Sequence, residues 1–139
     1  MDIKELRKLP LPKLRDLAKE STDLTGVVGM KKEELIEAIA NAKGIAYEKG
    51  IFAWATSGRA PSMGRDEGLT KLLFEPATKR IIGGAMAGPS AGELLAEIVV
   101  ATEMGATAED LALSIHPHPT LSETVAFSAD AYLGTLTDG

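Results

Sequence analysis

Glycine is spread unevenly along this chain, and that asymmetry limits the folds open to it. Three of the fourteen glycines fall within the first 44 residues. Glycine weakens helix interiors and suits turns, bulges and close backbone approaches, so a Gly-poor stretch favours helix and a Gly-rich one favours mixed structure. Charge divides at the same place. Residues 1–44 carry nine Lys/Arg and eight Asp/Glu, a balance of +1, and residues 45–139 carry −6. We therefore expect two parts, a helical module at 1–44 and an α+β domain at 45–139, in a chain long enough for both.

The composition also excludes chemistry. The sequence has no cysteine and two histidines, which leaves no disulfide, no thiolate nucleophile, no dithiol redox centre and no Cys-ligated zinc. No metal and no cofactor is expected. The net charge of −5 speaks against a strongly basic nucleic-acid binder. No apolar run reaches 18 residues and the N-terminal stretch lacks an apolar signal core, so no membrane contact and a cytoplasmic location are expected.

In the first part, Ile3, Leu6 and Leu9 form one short apolar stripe, and Leu11, Leu14, Leu17 and Ala18 a second. Pro10 and Pro12 separate them, Thr22–Gly29 is a turn region, and Lys31–Lys43 is a third helix stopped by Gly44. In the second part, strands are expected at Ile51–Thr56, Leu69–Glu75 and Arg80–Ala87, the last two forming a hairpin about Glu75–Thr78. Ala91–Met104 reads as an apolar helix with a capping box between Ser90 and Glu93. A further helix opens at Thr107, with Glu109 and Asp110 in its first turn, and a last one runs from Thr120 or Leu121 to Tyr132. Gly26–Gly29, Gly83-Gly84 and Gly88 form no phosphate-binding fingerprint. Gly83 and Gly84 instead mark a bulge or a close backbone approach.

Two resemblances follow. Leu6-x-x-Leu9-Pro10-Leu11-Pro12-x-Leu14-Arg15-x-Leu17-Ala18, with Gly29-Met30-Lys31-Lys32-x-Glu34-Leu35-Ile36-x-Ala38-Ile39, resembles the N-terminal helical domain of transcription termination factor Rho, which is similar to SAP-type modules. It covers about the first 43 residues and implies nucleic-acid contact through basic side chains. The near-neutral balance favours a plain packing unit with solvated Lys and Arg.

The second begins with Trp54-x-x-Ser57-Gly58-Arg59-Ala60 and Gly64-Arg65-x-Glu67-Gly68-x-Thr70-Lys71-Leu72-Leu73-Phe74. It continues through Ile82-Gly83-Gly84, Gly88-Pro89-x-Ala91-Gly92-Glu93-Leu94, Glu103-Met104-Gly105-Ala106 and Ile115-His116-Pro117-His118-Pro119-Thr120-Leu121-Ser122-Glu123. From about Lys49 to Asp138 this resembles the C-terminal dimerisation domain of dihydrolipoyl dehydrogenases, members of the pyridine nucleotide-disulfide oxidoreductase family. The resemblance implies that His118 is a catalytic base and Glu123 the carboxylate orienting it. A histidine exchanges protons near neutrality, and a carboxylate on its other nitrogen sets the tautomer. His116 is expected to be a loop residue rather than a ligand.

The departures shape the expected function. The 139 residues show no cysteine pair and no dinucleotide fingerprint. The opening strand of the family domain, of the type P-x-V-A-x-V-G, has no counterpart, and Lys31–Lys43 stands where the domain's first helix belongs. One helix thus serves both modules, which implies a chimera joined through a common helix, engineered or recombined, with a natural remnant as the alternative. The expected function is a homodimerising scaffold with an orphaned His118–Glu123 pair and no redox catalysis of its own, hence not an enzyme. The alternatives are a dimeric adaptor that binds nucleic acid or another partner through its helical head and, more distantly, a fragment of dihydrolipoyl dehydrogenase itself.

Overall fold

The computed structural model describes residues 2–21 and 31–136. The expected turn at Thr22–Gly29, with its glycines, lies outside the described residues. The chain divides into two compact units, meeting between Tyr47 and Glu48. The fold class is α+β, with helices and a three-stranded antiparallel sheet.

The first unit holds α1 (Ile3–Lys8), α2 (Leu11–Ser21) and α3 (Lys32–Lys43). Asp2 starts α1 through a reciprocal cap. Its carboxylate accepts from the Glu5 N–H at 2.8 Å, and the Glu5 carboxylate accepts from the Asp2 N–H at 3.0 Å. Ile3, Leu6, Leu14, Ala18, Leu35, Ile36, Ile39 and Ala40 are buried, while Leu9, Leu11 and Leu17 of the expected stripes are half-buried. Arg7 on α1 reaches Glu33 on α3 at 2.6 Å. Burial pushes the Glu33 carboxyl above its usual range, and the Arg7 guanidinium pulls it part of the way back. Gly44 ends α3 in the left-handed region, φ 68°.

The second unit is built on β1 (Glu48–Ala53), β2 (Leu69–Phe74) and β3 (Ile81–Ala87), in that order across the sheet. A 3-10 turn at Trp54–Thr56 and a short α4 (Arg59–Ser62) lie between β1 and β2. Then come α5 (Ala91–Met104), α6 (Ala108–Leu113) and α7 (Glu123–Leu133). α5 packs on β3, α7 on β1 and β2, and α6 on α7. The main core joins Leu72, Phe74 and Ile81 of the sheet to Ile98 of α5, Leu111 of α6 and Val125 of α7.

Four local expectations shift. The first strand covers Glu48–Ala53, three residues earlier than expected, and Trp54–Thr56 leaves it as a 3-10 turn. Gly50 belongs inside that strand because α7 crosses it closely: a Cβ there would run into the Ser128 carbonyl and lie 2.9 Å from Tyr132 Cβ. The hairpin strands end at Phe74 and restart at Ile81, a residue inside each expected end, with Arg80 left in an isolated bridge to Thr107. Ser90 does not form the expected capping box. It adopts φ 61°, and its main-chain oxygen, not its hydroxyl, accepts from the Glu93 N–H at 3.1 Å. The last helix begins at Glu123 because Thr120–Ser122 is a turn, in which the Thr120 hydroxyl bonds the Pro117 carbonyl at 2.6 Å.

Gly83 and Gly84 do what their place in a strand implied. The β2–β3 register slips between Leu73 and Phe74, leaving Ile82 without a partner. A Cβ at Gly84 would come within 2.8 Å of the Lys71 carbonyl and 3.0 Å of Ile98 on α5.

Candidate functional site

The His-Pro-His-Pro segment connects α6 to α7. His118 and Glu123, five positions apart, meet at the start of α7, where His118 Nδ1 lies 2.8 Å from Glu123 Oε1. The other carboxylate oxygen, Oε2, accepts from the Thr120 N–H at 3.0 Å. Glu123 is the first residue of α7, where the helix dipole favours a negative charge. The His118–Pro119 peptide bond is cis. Gly58, just before α4, faces the ring: a Cβ there would stand 3.6 Å from His118 Cε1 and 3.7 Å from Pro119 Cβ.

This arrangement has a clear chemical capacity. With Nδ1–H donated to the carboxylate, Nε2 keeps a free lone pair on the solvent side, the state of a proton acceptor. Among the described residues, no group of three or more His, Cys, Asp or Glu side chains is placed to hold a metal ion.

Behind the pair runs a buried polar chain that the sequence reading did not pick out. Trp54 Nε1–H donates to Thr70 Oγ1 at 2.9 Å, and Thr70 and Thr124 hydroxyls are 2.8 Å apart. Thr124 donates to the Leu121 carbonyl at 2.7 Å. Since Thr124 gives its only proton to Leu121, Thr70 is the donor between the two hydroxyls. Every proton is committed, from the indole to the carbonyl two residues before Glu123. The one signal available was a threonine in each of two mostly apolar elements.

His116 lies in the loop between α6 and α7, as expected, with partners the sequence did not signal. Its ring is nearly buried: Nδ1 faces the Ser114 carbonyl at 3.0 Å, and Nε2 meets the Glu97 carboxylate of α5. The spacing of 19 residues between Glu97 and His116 gave no local sign of the contact.

Residues 24–129 match the family model described as the pyridine nucleotide-disulphide oxidoreductase dimerisation domain. The chain belongs to that family. The match takes in α3 together with the sheet and most of α7. Over 102 residues the chain is 53% identical to dihydrolipoyl dehydrogenase of Vibrio cholerae, covering 73% of this chain and 22% of that protein. It is 39% identical over 109 residues to dihydrolipoyl dehydrogenase of Halobacterium salinarum, 78% of this chain and 22% of that one. The crystal structure of LpdA from Mycobacterium tuberculosis superposes with a TM-score of 0.63 at 27% identity, over 67% of this chain and 20% of that chain. The chain thus spans about a fifth of the length of the curated relatives it matches. This is a dimerisation domain of the oxidoreductase family, and self-association is the property the family description carries. Among the described residues, no helix is long and apolar enough to cross a membrane.

Proposed function

We propose that this chain is a homodimerising module, a twofold dimer formed through residues 45–139, and that its contact face centres on α5. One observation carries the reading. Leu95, Val99, Val100 and Met104 of α5 are exposed, as are Leu113 at the end of α6 and Ile115 just beyond it. Such a concentration of large apolar side chains on one unit exceeds the scattered exposure normal for a monomer. A twofold axis lets one apolar patch cover its own copy.

On this reading His118 and Glu123 stand for the family's catalytic base and its orienting carboxylate, as the resemblance implies, and supply a proton acceptor on an exposed ring. The chain by itself performs no redox chemistry on this reading, because its 139 residues offer no thiol and no dinucleotide fingerprint. For residues 1–43, the Rho-like spacing and the helix common to both patterns support the reading of a chimera joined at α3. Lys4, Lys8, Lys13, Lys19, Lys31, Lys32 and Lys43 are all exposed, which keeps the nucleic-acid adaptor as the second reading. Acidic Glu5, Asp16, Glu20 and Glu34 share that exposure and favour the plain packing unit.

Light scattering at micromolar concentration tests the main reading. A dimer mass supports it and a monomer mass refutes it. Salt-dependent retardation of single-stranded RNA or DNA in a gel would move the assignment to the adaptor.

A further inference from the structure

Between Leu113 and Pro119 every residue is exposed except His116. Its side chain is 10% exposed, against 100% for the whole of neighbouring Ile115. His116 is thus the nearly buried anchor of a segment held at its ends by the Ser114 hydroxyl on the Asp110 carbonyl at 2.7 Å and the Thr120 hydroxyl on the Pro117 carbonyl at 2.6 Å. That anchor spans two elements: Nδ1 is 3.0 Å from the Ser114 carbonyl, and Nε2 lies against the Glu97 carboxylate of α5. Both ring nitrogens therefore have a partner. The two histidines of one motif therefore hold different jobs. His116 is clamped with both nitrogens occupied, and His118 keeps Nε2 open.

We propose that Glu97 and His116 are positioning residues that hold the His118 segment against α5, the helix bearing the exposed apolar row. The proposal rests on the reading above that His118 and Glu123 form the functional pair. Hydrogen bonds are directional, so the contact of Glu97 with the nearly buried His116 ring can fix a short segment two residues from the base. His118 has a single bond of its own to the fold, through Nδ1 to Glu123, so its ring geometry depends on where the backbone of residues 114–118 is held. The same contact links the site to α5, so the helix proposed to meet a second copy also sets the position of the base.

The test is NMR of the histidine ring nitrogens in the full chain, with the His118 Nδ1–H resonance as the readout and light scattering alongside. Glu97→Ala is expected to abolish the protected His118 Nδ1–H signal while the mass and the helical circular dichroism stay unchanged. Glu97→Gln, which keeps an acceptor oxygen, is expected to restore most of it. A merely structural salt bridge would not produce that rescue. His116→Asn, cutting the tether from the loop side, should reproduce the loss and provides a second arm should Glu97→Ala fold poorly. An unchanged His118 signal in both Glu97→Ala and His116→Asn overturns the positioning role. Glu123→Gln separates this from the underlying reading. If Glu123→Gln shifts the His118 resonance and the Glu97 variant does not, the pair stands and the tether fails. If Glu123→Gln also leaves it unmoved, the pair itself fails and takes the tether with it.

Discussion

His118 and Glu123 are hydrogen-bonded at 2.8 Å yet sit in different media: the imidazole is 72% exposed and the carboxylate 9%. The acid is therefore the fixed partner and the ring the free one. Glu123 also accepts from the Thr120 N–H, so Glu123→Gln puts an amide group where two donors converge. It should cost about 1–3 kcal/mol of folding stability. His118→Ala exposes Glu123 Oε1 to water and should stay within about 0.5 kcal/mol, the range of surface substitutions. Urea unfolding at constant slope measures both, and a larger loss for His118→Ala than for Glu123→Gln would contradict the assignment.

Trp54 is the only tryptophan, so its fluorescence reports directly on the buried chain Trp54–Thr70–Thr124–Leu121. Thr70→Val keeps the shape and strands the indole N–H without an acceptor. The expected cost is about 1–3 kcal/mol, accompanied by a changed emission maximum. An unchanged spectrum and midpoint would show that the indole finds another partner.

Gly50 gives a steric prediction. Gly50→Ala places a methyl against the Ser128 carbonyl and Tyr132, so α7 must draw back from β1. Overpacking of this kind costs about 1–3 kcal/mol. Loss of that magnitude, with Phe52 and Phe127 shifted from their 5.0 Å ring separation, is the outcome to look for by unfolding and by aromatic NMR contacts.

The cap of α6 should respond to acid. The Thr107 N–H bonds the Asp110 carboxylate at 2.9 Å, and the Thr107 hydroxyl accepts from the Asp110 N–H at 3.2 Å. The backbone bond from Thr107, first, and its hydroxyl, second, hold the Asp110 carboxyl below its ordinary 3.8. The folded chain thus binds this proton less readily than the unfolded chain. The cap's contribution is complete above the ordinary value and is lost as pH falls through the lower folded one. Hydrogen exchange of the α6 amides should accelerate in that acid window, and Asp110→Asn should flatten the dependence. Thr107→Ala should cost about 1 kcal/mol at neutral pH.

Val100→Asp places a charge on the exposed row of α5. The dimer should dissociate at concentrations where the parent chain is paired, with the fold intact by circular dichroism. Sedimentation velocity reads the shift, and an unaffected dimer would move the interface away from α5.

Much of this molecule was legible because it is local. The stripes Ile3–Leu6 and Leu14–Ala18 specify helices through contacts three or four residues apart, and Gly44 stops α3 by its own φ. Leu69–Phe74 and Ile81–Ala87 pair across a short turn, and Gly84 admits Ile98 close to the sheet. The meeting of His118 with Glu123 likewise spans only five positions at one helix start. The sequence by itself therefore determined the helices and the hairpin, since the atoms involved are neighbours along the chain, while the candidate pair was read from the family resemblance. Tertiary structure alone decided the rest. It set Gly50 inside β1 because α7 crosses there, joined Trp54 to Thr124 through Thr70, and brought Glu97 to His116. The hydrogen-bonded pairs among them lie 16 to 54 residues apart, and no periodicity encodes them. They meet only after α5 and α7 have packed on the sheet, where burial turns an unpaired donor from a minor matter into a costly one.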